Sequence, residues 1–148
     1  MNKNFLPISI DIANEKILII GGGLDALKKI RILQRFDAHV EVLAKDVCDE
    51  IKNSGVNYIE AEYDKQFLRD YLMVYSCANN DVLDRQIVKD AKEAGVLVNI
   101  HDKPALCQFV SPAIYRHGKI TVAVGSNGED VYESIRIRNL IKEKINFN

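Results

Sequence analysis

A chain of 148 residues with 47% apolar and 28% charged residues has the length and balance of one soluble globular domain. Its net charge of −1 gives no long-range attraction to nucleic acid or to an anionic membrane surface, so neither is expected as a partner. No apolar run approaches the ~20 residues that span a bilayer, and Met1-Asn2-Lys3-Asn4 opens no signal-peptide core.

The first predicted element is a strand, Lys16–Ile20, an unbroken apolar run suited to a position covered on both faces. A helix follows over 24–35, with Leu24, Leu27, Ile30 and Leu33 near helical spacing. Further strands are expected at 39–43, 56–60 and 72–77. The next helix carries an apolar stripe of Leu83, Ile87, Ala91 and Ala94, with Asp84 and Asp90 off the stripe. Asn80 or Asp81 can cap its start and Gly95 its end. A fifth strand reads 96–100. Beyond it, 109–115 and 119–124, joined by Arg116-His117-Gly118, read as a hairpin. A last helix is expected from about 129 to 145, with acidic residues in its first turn.

This alternation predicts an α/β fold: a Rossmann-type doubly wound parallel sheet, order 3-2-1-4-5, with a C-terminal β-hairpin and helix. Cys48, Cys77 and Cys107 form no CxxC pair, so no metal ligand set is expected. A reduced cytoplasmic compartment fits them, each thiol serving as a small buried residue.

The first strand runs into Gly21-Gly22-Gly23-Leu24-Asp25-Ala26, a GxGxxA pattern that opens a helix. Gly21 permits the tight turn, Gly23 lets the backbone approach a pyrophosphate, and Ala26 lets helix pack on strand. The helix N-terminus then offers N–H groups to the phosphates. Gly21, Gly22, Gly23, Leu24 and Asp25 are thus candidates to bind NAD, and 1–115 is read as the NAD-binding domain. The segment 116–148 is read as a hairpin strand and helix available for dimerisation. An acid near the end of the second strand usually meets the ribose. Here Lys45 and Asp46 stand there: Asp46 suits ribose hydroxyls, Lys45 a 2′-phosphate, and the residues leave NAD against NADP open.

Three stretches together resemble the precorrin-2 dehydrogenase family, whose module also forms the amino-terminal part of siroheme synthase. They are the glycine loop with Ala26, Lys29 and Arg31; Asn99-Ile100-His101-Asp102-Lys103-Pro104-Ala105-Leu106-Cys107; and Phe109-Val110-Ser111-Pro112-Ala113. Val122-Ala123-Val124-Gly125-Ser126-Asn127-Gly128 and the opening Leu6-Pro7-Ile8 are similar as well. The resemblance implies NAD-dependent oxidation of precorrin-2 to sirohydrochlorin, a step towards siroheme or cobalamin. It also implies, in some members, insertion of Fe2+ as a chelation substrate. Homodimers are common in the family, and an aspartate at the Asp102 position is tied to catalysis. The chain departs from the family at Ala78-Asn79-Asn80, where Thr-Asp-Asp is frequent, and at Val131, where proline is usual. Many members continue into a helical domain past the position of Asn148, so the expected homodimer is weaker or smaller than theirs.

Oxidising a tetrapyrrole releases a proton, so a base is wanted near the cofactor. Asp102 lies just past the fifth strand, at the edge where open parallel sheets bind ligands. At ~4.8 Å per strand it falls roughly 10 Å laterally from the glycine loop. By position alone an Asp-Lys-Pro turn serves equally well; the family likeness favours catalysis. His101 beside it is read as a packing or hydrogen-bonding residue. Ser126, Asn127 and Gly128, before the last helix, can bind a substrate anion or form a turn. For a carboxylate-rich substrate the candidate cations are Lys28, Lys29, Arg31, Lys103, Arg116, Arg136 and Arg138. Two other functions use the glycine loop differently: a nucleotide-sensing regulatory domain without catalysis, and a tetrapyrrole-holding or metal-delivery protein. The first leaves 99–112 unexplained.

Overall fold

The structure is a computed structural model that describes residues 2–147. It comprises two compact units, Ile10–Gln108 and Met1–Ser9 together with Phe109–Asn148.

The larger unit is built on a parallel sheet. Its elements are β1 (Lys16–Ile20), α1 (Leu24–Gln34), β2 (His39–Ala44), α2 (Asp49–Lys52), β3 (Asn57–Glu60), β4 (Met73–Ser76), α3 (Asp81–Ala94) and β5 (Leu97–Ile100). The strand order is β3-β2-β1-β4-β5, as the alternation predicts. β1 holds the centre because Ile17, Leu18, Ile19 and Ile20 are apolar towards both faces, and all four are buried. It pairs in register with β2 from Lys16↔His39 to Ile20↔Leu43, and with β4 from Ile17↔Met73 to Ile20↔Ser76. Every residue of β3, at one end of the sheet, is exposed. Helix α1 buries Ala26, Leu27, Ile30 and Leu33. Each large apolar side chain withdrawn from water there contributes roughly 1.5–3 kcal/mol.

Two helix faces differ from the sequence pattern. Leu24 opens α1 but is 63% exposed, because its place beside Gly23 puts it at the sheet edge rather than over it. On α3 the buried residues are Asp84, Ile87, Asp90 and Ala91, so the two aspartates lie on the packed face and not off it. Burial of a carboxylate is tolerated when it is fully hydrogen-bonded. Asp90 accepts from Tyr63 Oη at 2.7 Å and from Gln86 Nε2 at 2.8 Å. The caps follow expectation: the Asn80 side chain accepts from the Leu83 N–H at 3.0 Å, and Gly95 ends α3 at φ +71°.

The smaller unit contains β6 (Ala113–His117), β7 (Ile120–Val124) and α4 (Val131–Lys144). β6 and β7 pair antiparallel, from Ala113↔Val124 to His117↔Ile120. The connecting turn is therefore Gly118-Lys119, starting two residues later than the expected Arg116-His117-Gly118, with Gly118 at φ +57°. Asp130 caps α4 by accepting from the Glu133 N–H at 3.0 Å. Helix α4 packs against both strands, and Arg138 donates to the Ile114 carbonyl at 3.2 Å. The division between units falls at Gln108/Phe109, whereas the boundary expected at 115/116 lies inside β6.

Candidate active site

In the order β3-β2-β1-β4-β5 the chain leaves β1 for one side and β4 for the other. In sheets of this order ligands usually bind where the loops at the carboxyl ends of these two strands diverge.

The three glycines after β1 occupy three different environments. Gly21 sits at φ +132°, and a Cβ on it would lie 2.6 Å from the Cys77 carbonyl oxygen. Its N–H donates to the Leu43 carbonyl at 2.9 Å. A Cβ on Gly22 would run into the carbonyl oxygen of Asp46. The Gly22 carbonyl in turn accepts from the Cys48 N–H at 2.9 Å. The loop after β2 therefore lies flush on Gly22. Glu60 fastens that loop by accepting from the Val47 N–H at 3.2 Å, a contact that holds its carboxyl below the usual range. A Cβ on Gly23, by contrast, would meet nothing within 4 Å. Gly23 is also the N-cap of α1, and no side chain caps that helix start. An anion at Gly23 thus finds open space and a helix N-terminus, so the residues fit a dinucleotide pyrophosphate.

Lys45 and Asp46 border the same loop. Lys45 is exposed and pairs with Glu62 at 2.9 Å, which holds its ammonium above the usual lysine value. Asp46 supplies the backbone that abuts Gly22.

The second wall comes from the turn after β5. The His101 N–H donates to the Ser76 carbonyl at 2.9 Å, and the Lys103 N–H to the Ile100 carbonyl at 3.2 Å. Between them Asp102 adopts φ +58°, and its side chain is 86% exposed. His101 Nε2 lies 3.3 Å from Asp102 Oδ2 and 3.6 Å from Asp25 Oδ1. Asp25 also accepts from Asn79 Nδ2 at 3.1 Å. Asp102 and the first turn of α1 are thus brought to one place with His101 between them. Sequence reading singled out Asp102 and Asp25, read His101 as a packing or hydrogen-bonding residue, and gave Asn79 no functional role. Asn79 lies three residues past β4 at φ +54°, a left-handed conformation that asparagine tolerates and that the sequence does not display.

Several of the remaining candidates are already engaged. Lys103 contacts Asp81 and, at 2.6 Å, Asp84. Lys29 lies 4.9 Å from the centre of the Tyr75 ring, and burial holds its pKa below the usual lysine value. Arg136 pairs with Glu133 at 2.6 Å. Burial pushes the Cys77 thiol up to about 11, so it stays protonated at neutral pH. Cys107 is buried, and its sulfur accepts the Ile100 N–H at 3.1 Å, closing the chain back onto β5. In the smaller unit, Ser126 Oγ accepts from the Asp130 N–H at 2.9 Å. The Asn127 side chain accepts from the Phe5 N–H and donates to the Lys3 carbonyl, both at 2.8 Å. Asn127 and Gly128 both have positive φ, so the Ser126-Asn127-Gly128 segment is a tight turn. Among the described residues no helix is long and apolar enough to cross a membrane.

Comparison with known proteins adds three findings. The family described as "Putative NAD(P)-binding" matches residues 8–113. A siroheme synthase of Buchnera aphidicola subsp. Acyrthosiphon pisum is 37% identical over 146 residues, covering 96% of this chain and 30% of that protein. The siroheme synthase of Saccharophagus degradans is 31% identical, with 96% of this chain and 32% of that protein covered. The chain thus spans about a third of the length of these relatives. A solved structure described as SirC, precorrin-2 dehydrogenase, superposes with a TM-score of 0.75 at 17% identity, covering 96% of this chain and 72% of the other. That likeness shows a shared fold.

Proposed function

Because the chain belongs to the NAD(P)-binding family matched over residues 8–113, we propose that it is an NAD-dependent dehydrogenase that oxidises precorrin-2 to sirohydrochlorin. One observation carries the reading: His101 lies between Asp25, on the first turn after the glycine loop, and Asp102 beyond β5. A cofactor cradle and a carboxylate thereby share one edge. The siroheme synthase relatives supply the substrate class.

When bound, NAD supplies the hydride acceptor. The substrate would also release a proton, which falls to a residue of this chain. Gly23 and the start of α1 hold the pyrophosphate. Asp46 is placed to meet the ribose hydroxyls. Asp102 takes the proton, and its exposure gives a large substrate access to it. His101 orients that carboxylate. In the smaller unit, taken by itself, the backbone N–H groups of Ser126, Asn127 and Gly128 are a candidate anion site. The protein works in the cytoplasm, as a homodimer.

The test is Asp102→Asn, which keeps the shape and removes the basicity. Single-turnover formation of sirohydrochlorin should slow by ~10²–10⁴-fold, with NAD affinity nearly unchanged. A rate within about threefold of wild type, far outside that range, would make Asp102 a turn residue only. Adding Fe2+ anaerobically after the oxidation, and looking for siroheme, tests whether metal insertion belongs to the same protein.

A further inference from the structure

We propose that Asp84 is a positioning residue: acting through Lys103, it holds the turn after β5 in the conformation that presents Asp102 at the sheet edge. The inference rests on the reading of Asp102 as proton acceptor, and its test keeps the two apart.

Three consecutive residues of the turn point three ways. His101 approaches Asp25 on the side of α1. Lys103 reaches Asp81 and Asp84 on α3. Asp102, between them, projects into solvent. The middle residue is in a left-handed backbone conformation that L-residues seldom adopt. Such a conformation persists where the surroundings over-determine it. Here the turn is staked on both flanks.

The stake on α3 is an unusual one. Asp84 is 1% exposed, on the first turn of a helix that already has its cap in Asn80. The pair is half-buried, with Asp84 enclosed and Lys103 31% exposed, and a pair of that kind is a poor device for stability alone. What the pair adds is geometry. One carboxylate oxygen accepts from Ser76 Oγ at 2.8 Å, and the other takes Lys103 Nζ at 2.6 Å. The carbonyl of the same Ser76 accepts the His101 N–H. A closed ring results: Asp84, the Lys103 side chain, the turn backbone back to His101, Ser76, and Asp84 again. The ring uses the Lys103 side chain and the His101 backbone, and it leaves the Asp102 carboxylate outside, 86% exposed.

The ring predicts coupled effects. Asp84→Asn keeps the shape and removes the charge; Lys103→Met keeps the apolar stem and removes the ammonium; Lys103→Arg keeps the charge. In the full chain, Asp84→Asn and Lys103→Met should each slow single-turnover oxidation of precorrin-2 by about tenfold to a hundredfold, the scale of a misplaced group. NAD affinity should stay within about twofold of wild type, because the cradle at Gly23 is untouched. Amide hydrogen exchange at His101 and Lys103 should quicken in both variants. The double variant should add little to either single one, and Lys103→Arg should restore most of the rate. If Asp84→Asn fails to fold, the two Lys103 variants carry the comparison. Turnover within about threefold of wild type in the folded variants overturns the proposal. So does a loss of NAD affinity in step with rate. If the wild-type protein does not oxidise precorrin-2, the proposed function has failed. Exchange then decides the positioning role alone, and unchanged exchange at both amides overturns it.

Discussion

Gly21, Gly22 and Gly23 are adjacent in sequence and unlike in physics. The obstacle at Gly22 is backbone, the Asp46 carbonyl, so an added methyl has nothing flexible to push aside. Gly22→Ala should therefore destabilise the fold by about 1–3 kcal/mol, as overpacking typically does, seen as a lower urea midpoint. An unchanged midpoint would mean the loop after β2 gives way without cost. Gly23 faces open space with an extended backbone, φ −105°, that any residue adopts. Gly23→Val should leave the urea midpoint almost where it was and weaken NAD binding by at least tenfold, or ~1.4 kcal/mol. Equal NAD affinity by calorimetry would remove the cradle from Gly23.

Among the helices, α3 joins the packing of the unit to its chemistry. Its cap is one asparagine side chain on one N–H. Asn80→Ala should cost ~1 kcal/mol of stability, read from chemical unfolding; no change would mean that another group satisfies the Leu83 N–H. The same helix marks where sequence reading succeeds and where it stops. Apolar spacing located α3, and the alternation of such helices with β-branched runs located the strand order, because periodicity and crossover handedness are strong, general constraints. The burial of Asp84 was not legible. A polar residue on a helix is assigned to the surface unless its partners are known, and Ser76 and Lys103 are eight and nineteen residues away along the chain. α2 was missed because its four residues are too few to display a period. Asp102 was legible as a residue just past β5, but not in its left-handed backbone, which depends on both flanks of the turn.

At the scale of the molecule, the smaller unit rests on a two-stranded sheet, an arrangement of marginal independent stability. It exposes Val131, Tyr132, Ile135, Leu140 and Ile145. Apolar exposure of that kind suits a second copy of the chain. Light scattering should find a homodimer, and a double substitution, Ile135→Asp with Leu140→Asp, should shift it to monomer. A monomeric wild type at every accessible concentration would rule the dimer out.

The larger unit carries a different consequence, set by the position of β1. Its pairing with β2 joins neighbouring stretches of chain, as does β4 with β5. Only the pairing from Ile17↔Met73 to Ile20↔Ser76 reaches across the whole first half. That ladder sets the glycine loop beside the chain after β4, and the local β4–β5 pairing adds the turn that holds Asp102. Loop-closure entropy must be met before so distant a contact rewards it, and contacts of long sequence reach are the slow ones in folding. Each half of the sheet can gather locally, but the chemical edge exists only once the halves have met. In time as well as in space, the site is the seam of this unit.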